Sequence, residues 1–475
     1  MHRPPSARPR ARRRRRTRTC PADPRTTRGG RPRQRRAGLG APPSARRRGW
    51  GPAGENDTVT IARRTFRSLA IRNYRLFFVG QGLSQIGTWM QTVAQGWLVL
   101  HLSHDSGIAV GVVTALMFLP MLLLGPLGGV IADRVDKRKA LVVTAAAQAT
   151  IAAVLATLTL SGVVELWMVY AIAFTYGCVT VVDMPTRQAF VTEMVGPDDL
   201  PNAIGLNSAL FNGARTLGPA VAGAVIVVAG TGWCFLLNSV SYVAVIGALL
   251  AMRRDELFAG TPVRRARGQI REGFAYVWRT PVLRSTILLI TVVSTFGFNF
   301  SIVLPVLAKV TFHRSAATYG LLSSSLGAGS LVGALVAAGR SRPTPRLLVG
   351  AAAAFGVMTM VAATAPTVTS AAVLLFVVGA TSISFMATAN ATVQLNSTAT
   401  MRGRVMSLYG VVFLGSTPIG GPIAGWVSQH FGARAGIGMG GALSLVGALV
   451  AASALYRARN RQPGEVVPDT SLAAA

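Results

Sequence analysis

The sequence predicts an all-α membrane protein with twelve transmembrane helices divided six and six. Three observations carry that reading. The 475 residues are 51% hydrophobic and only 13% charged, with a positive mean hydropathy, a balance foreign to an ordinary soluble multidomain protein. Apolar runs of about twenty residues, enough for a helix rising 1.5 Å per residue to cross ~30 Å of hydrocarbon, recur along the chain. Lys and Arg, finally, gather in alternate connections between those runs.

Residues 1–60 come before any span. Eighteen of the 48 Lys and Arg residues lie in the first fifty positions, among many prolines and with no apolar periodicity, so this tail cannot bury a core and reads as disordered. Three origins compete for it. One is a basic arm for anionic lipid or nucleic acid. Another is a cleaved targeting signal, although no apolar segment follows the arginines. The third, which carries most weight, is a misassigned start codon in a GC-rich gene, with the protein beginning near Val59 or Ile61. On that reading the net charge of +32 is no nucleic-acid signature, and no nucleic-acid partner is expected.

The N-terminal six-helix unit, 61–252, has spans expected at 76–100, 108–131, 140–160, 165–184, 205–229 and 233–252. Five positive charges in 61–75 precede the first span, four in 132–140 separate the second from the third, and Arg187 follows the fourth. Segment 253–284 holds eight more and is the one long connection, dividing the chain six and six. Within it Ile270, Phe274, Val277 and Trp278 recur at i, i+4, i+7 and i+8, an apolar stripe suited to a helix lying on the inner membrane surface; a plain tether is the alternative. The second unit, 285–456, has spans expected at 285–308, 318–339, 347–364, 369–391, 405–428 and 435–456, before a cytoplasmic tail at 457–475. With the N-terminus inside, 26 positive charges fall in inner segments and only Lys309, Arg314 and Arg434 fall outside. Both termini are therefore expected in the cytoplasm of a multi-pass protein of the cell (inner) membrane.

Several short stretches carry chemistry. In "GGVIADRVDKRKAL", Gly128 to Leu141, glycines at 125, 128 and 129 permit close helix approach, Asp133 suits a neighbouring helix N-terminus, and Arg134, Lys137, Arg138 and Lys139 hold the turn at the inner face. Gly129, Asp133 and Arg134, followed by Lys137, Arg138 and Lys139, resemble the G-x-x-x-D-R-x-x-[RK]-[RK] loop of the major facilitator superfamily. That resemblance extends over the spans from about Arg63 to Arg461. It implies two six-helix bundles that rock about a central cavity, with this loop as a gating latch. Asp136 stands where the family commonly has glycine, and the counterpart "GRSRPTPR", Gly339 to Arg346, lacks the Asp-Arg pair.

In the fifth span Gly218, Pro219 and Gly223 resemble the glycine-proline motif of the superfamily's antiporters, which implies a kinked helix associated with export. Gly421, Pro422 and Gly425 occupy the matching place in the eleventh span, with Pro219 and Pro422 lying 203 residues apart, about one duplicated half. The stretch "VDMPTRQAFVTEMV", 182–195, with "LPNAIGLNSALFNGARTLGP", 200–219, looks like the subgroup that includes the enterobactin exporter and the macrolide-efflux permeases. Asp183, Arg187 and Glu193 then stand at the cytoplasmic mouth, either as an ion-pair gate or as a solvated helix end.

Ionisable groups inside spans are costly and serve as functional candidates. Arg215 is the clearest, a coupling or ion-pair residue with Asp183 and Asp133 as possible partners, and no Asp or Glu is expected mid-span. Proton antiport follows from the resemblance alone, so no cofactor is expected, only a proton gradient. In this fold the first, fourth, seventh and tenth spans line the cavity, which nominates Gln91, Gln95, Trp97, Tyr176, Ser294, Asn299, Ser384 and Asn390, each with interhelical bonding as its alternative. Such a lining suits a bulky, mostly neutral or amphipathic small molecule. Cys20, Cys178 and Cys234 form neither a disulfide framework nor a metal site. No phosphate-binding loop, metal cluster or catalytic triad occurs, which argues against an ATP-driven pump or an enzyme. The expected protein is a monomeric secondary exporter in the lipid bilayer; a transport-inactive scaffold or receptor on the same fold is the alternative.

Overall fold

The computed structural model describes residues 66–258, 269–339, 344–398 and 400–460. The tail expected at 1–60, the arginine-rich part of the middle loop and the chain beyond 460 lie outside the described residues. All regular structure among the described residues is helical, and these residues fall within one compact unit, Asp57–Ala475.

A short 3₁₀ turn, Arg67–Ala70, leads into α1, Arg72–Leu102. Helices α2, Gly107–Arg134, and α3, Lys137–Leu160, follow. The helical segment Leu166–Ala229 is two helices joined at Gly196, whose φ of +68° and ψ of 180° no helix accommodates and which a side chain rarely adopts. We name the part before this break α4, 166–195, and the part after it α5, 197–229. Then come α6, Thr231–Leu250, and the surface helix α7, Gln269–Arg279. The seventh apolar segment is interrupted: α8, Pro281–Val292, and α9, Phe300–Val306, are each followed by a π-helical turn, Val293–Gly297 and Leu307–Thr311. The remaining helices are α10, Ala316–Ala338; α11, Pro345–Ala363; α12, Val368–Leu395; α13, Arg402–Gly415; α14, Thr417–Phe431; and α15, Ala433–Asn460.

Local chemistry sets several of these starts. Ser106 caps α2 by accepting from the Ala109 amide at 3.2 Å, Thr344 caps α11 ahead of Pro345 in its first turn, and Thr367 and Ser370 form a reciprocal capping box on α12.

Ten helical segments among the described residues are long and apolar enough to cross a membrane. The expectation was twelve. The segment 166–229 is a single member of the ten, as is 402–431, and α1 is not among them. The fourth span also differs from expectation. Instead of ending near residue 184, its helix continues to Gly196, because Pro185 is accommodated within it; the "DMPTRQAF" stretch is helical.

Small residues position the halves. A methyl group on Gly128 would lie 2.0 Å from the Val181 carbonyl oxygen, so α2 meets α4 backbone to backbone there. Between the two halves of the chain the closest approaches are α5 against α10 and α2 against α14.

Candidate functional site

At the turn between α2 and α3, Asp136 is the N-cap of α3, its carboxylate accepting from the Lys139 amide at 3.0 Å. The departure from the family's glycine thus has a local function. Lys137 donates to Glu193 at 2.6 Å, and Arg138 donates to the carbonyls of Leu249 and Leu250 at 2.6 and 2.9 Å, closing the C-terminal end of α6. Arg134 is exposed, Asp133 and Gly129 are half-buried, and the tight glycine contact falls on Gly128. A cavity of about 260 Å³ opens beside this turn, lined by Val135 to Arg138, Glu193, Arg254, Leu257 and Phe258.

Asp183 and Arg187 form a buried pair within α4. They sit one turn apart on α4, about three and a half and two and a half turns before Gly196. Their carboxylate and guanidinium pair directly, and Asp183 also accepts from Thr144 Oγ1 of α3 at 2.8 Å. Asp183 is 5% exposed and is the one buried acidic side chain among the described residues. This places a carboxylate well inside a helix where none was expected. It also removes Asp183 as a partner for Arg215. The Tyr242 hydroxyl lies 3.3 Å from Thr88 Oγ1 of α1.

The two glycine-proline motifs lie on the seams between the halves. A methyl group on Gly320 of α10 would sit 2.5 Å from the Pro219 carbonyl oxygen, and one on Gly223 would sit 3.1 Å from Ala317 Cα. On the other seam, a methyl on Gly425 would sit 2.4 Å from the Gly107 carbonyl oxygen, and one on Gly111 would sit 2.6 Å from the Gly421 carbonyl and 3.0 Å from Pro422 Cα. Gly218 instead meets α1, where a methyl would sit 2.5 Å from Trp89 Cβ. The same end of the bundle carries polar ties across the halves: Ser106 Oγ donates to Gln429 Oε1 at 2.7 Å, and Lys309 Nζ pairs with Asp105 Oδ1 at 2.5 Å. At the opposite end, the ion pairs Arg67–Asp199, Lys137–Glu193 and Glu272–Arg404 each stay within one half.

Most nominated cavity residues serve as bonds within a half. Gln91 accepts from Asn238 at 2.7 Å, joining α1 to α6. Ser294, Asn299 and Ser384 donate to carbonyls one turn back in their own segments, at 2.5, 2.7 and 2.8 Å. Asn390 accepts from Gln394 at 2.5 Å, Gln95 is buried, and Trp97 lies 5.9 Å from Lys309 Nζ. Arg215 lies over the ring of Trp89, 5.7 Å from its centroid. Sequence reasoning passed over Thr144, Tyr242, Asp105 and Gln429, whose partners are distant in the chain.

Helices this apolar, packed as two halves along small-residue seams, define an integral membrane transporter of the major facilitator type. The chain belongs to the transmembrane secretion effector family of that superfamily, whose model matches residues 63–472. It is 25% identical over 264 residues to the staphyloferrin A transporter of Staphylococcus aureus, covering 55% of this chain and 66% of that one. It is 27% identical to the multidrug efflux pump Tap of Mycolicibacterium fortuitum, covering 72% and 87% of the two chains. A bacterial homologue of the human lysosomal transporter Spinster, solved inward-facing and unoccupied, superposes with a TM-score of 0.65 at 14% identity, over 82% of this chain and 96% of that one. These relatives are transporters, not enzymes.

Proposed function

We propose that this protein is a secondary exporter of a bulky small molecule, a drug or a siderophore-like metabolite, working by alternating access with proton antiport. The observation that carries the reading is the location of the two glycine-proline motifs. They lie on the α5–α10 and α2–α14 seams, at the end where the halves are tied together by Ser106–Gln429 and Asp105–Lys309. Such an arrangement suits rocking of one half on the other about a cavity open at the basic end. The staphyloferrin A transporter and the multidrug efflux pump Tap among its relatives support the solute class.

Helix lengths support a reading of twelve passes in two six-helix bundles. At 1.5 Å per residue a straight helix of 64 residues would span roughly 96 Å, about three bilayer cores, so Gly196 divides Leu166–Ala229 into two passes. Helix α1, with 31 residues, supplies the twelfth; its glutamines lower its mean hydropathy. The alternation of basic loops supports cytoplasmic termini in the cell membrane. For proton coupling, Asp183 is the carboxylate of choice, since its buried pair with Arg187 and its bond from Thr144 change strength when it gains a proton. An efflux panel of antibiotics and siderophores in a pump-deficient host, with and without a protonophore, tests the proposal. Lower accumulation that the protonophore restores is expected; unchanged accumulation across the panel favours the scaffold reading.

A further inference from the structure

Phe211 and Arg215 stand one turn apart on α5 and both reach Trp89 of α1. The Phe211 ring meets Trp89 edge-on at 5.6 Å and 72°, and the Arg215 guanidinium lies over the indole at 5.7 Å. Gly218, one turn on, brings α5 close enough to wedge Trp89 in place. The group faces the junction of the halves. Gly96, two turns beyond Trp89 on α1, touches Tyr319 and Pro305 of the second half, and the Arg215 carbonyl oxygen backs onto Gly327 of α10.

The charge balance there is incomplete. Among the described residues no ion pair of Arg215 is seen, and Asp183 is held by Arg187 and Thr144. An indole face contributes about 0.5–2 kcal/mol to a cation, and Arg215 is half-buried, so its guanidinium stays open to a further partner. Two further polar atoms on the facing turns of α5 and α10 have no hydrogen-bond partner among the described residues. Asn212, three residues before Arg215 and 7% exposed, leaves its side-chain oxygen unbonded, and the buried Ser324 hydroxyl sits between Gly320 and Gly327 on the α10 face that lies against α5. A guanidinium keeps its proton at any physiological pH, so Arg215 is a fixed charge rather than a proton carrier.

We propose that Arg215, walled by Trp89 and Phe211, is the docking point for the anionic group of an amphipathic aromatic solute, with Asn212 and Ser324 available to hydrogen-bonding groups beside it. Resting on the transporter reading, this narrows the solute class from neutral or amphipathic molecules to carboxylate-bearing ones, for which the planar guanidinium offers a two-pronged match.

The test uses the full chain purified in detergent and a matched pair of probes, naphthaleneacetate and its neutral amide, with binding read by quenching of tryptophan fluorescence. The anion is expected to bind about ten-fold more tightly than the amide. Arg215→Gln abolishes the preference, Arg215→Lys retains part of it, and Trp89→Leu weakens both probes alike. Equal affinity of the two probes for the wild type, or a preference that survives in Arg215→Gln, overturns the proposal. Should Arg215→Gln not fold, protection of Arg215 from phenylglyoxal by naphthaleneacetate in the wild type, read by mass spectrometry, decides it: protection supports the site and its absence sinks it. Proteoliposomes separate the two readings. A binding preference without gradient-driven movement of any solute upholds the site and removes the exporter; movement without preference removes the site and leaves the exporter.

Discussion

Lys309 Nζ lies 2.5 Å from Asp105 Oδ1, joining the end of the α9 segment to the α1–α2 loop across the two halves of the chain. The loop is shaped to make this contact. His104 and Asp105 have φ values of +53° and +68°, a left-handed conformation that non-glycine residues rarely adopt. Trp97 sits beneath the ammonium, so one cation holds a carboxylate and an aromatic ring on the first half.

Breaking that tie loosens the seam by a limited amount. Both side chains are partly exposed, at 26% and 45%, so the pair contributes no more than ~1 kcal/mol. Asp105→Asn is expected to raise labelling of a cysteine at Ser301 by an impermeant maleimide, added outside cells carrying an otherwise cysteine-free protein, by up to about five-fold.

The seam glycines tolerate far less. A side chain at Gly425 or Gly320 must displace backbone of the opposite half, and overpacking of this kind costs about 1–3 kcal/mol. Gly425→Ala and Gly320→Ala are expected to lose most efflux while still accumulating in the membrane. Gly205→Ala and Gly213→Ala, with no atom within 4 Å of the added carbon, keep wild-type efflux in the same assay.

Removing one partner of the Asp183–Arg187 pair leaves the other charge buried. Asp183→Asn is expected to destabilise the detergent-purified protein by roughly 3–5 kcal/mol, read as a fall in its melting temperature. Adding Arg187→Gln recovers part of that loss, and a double mutant less stable than Asp183→Asn would show that the pair is not the reason.

At the α2–α3 turn, Asp136→Gly restores the family's residue and removes a cap. Glycine at an N-cap costs only a few tenths of a kcal/mol and alanine about 0.5–2. Melting curves are expected to place Asp136→Ala below Asp136→Gly, with efflux intact in both.

Much of the fold was legible because apolar runs of bilayer length leave the backbone few alternatives to helix. Helices cover each expected span, and the surface helix forms where Phe274, Val277 and Trp278 recur; Val277 is buried while Phe274 and Trp278 stack at 5.3 Å on an exposed face. The end of α4 was misplaced because the polar residues from Asp183 onward resemble a loop, whereas Asp183 and Glu193 find partners on α3 and Thr186 and Arg187 bond within α4. The polar residues nominated for the cavity are legible only in part: a serine or amide on a span reads the same whether it faces a cavity or bonds a carbonyl one turn back, as Ser294 and Ser384 do.

By itself, then, the sequence determined the class of protein, its apolar helices, the basic turns between them and the paired glycine-proline motifs, since each is written in local composition and spacing. Tertiary structure alone decided which glycine touches which carbonyl, which acid takes which base, and that Arg215 is left to Trp89 with no carboxylate described beside it. Those outcomes depend on how helices far apart in the chain pack against one another, and spacing along one helix carries no record of its neighbour.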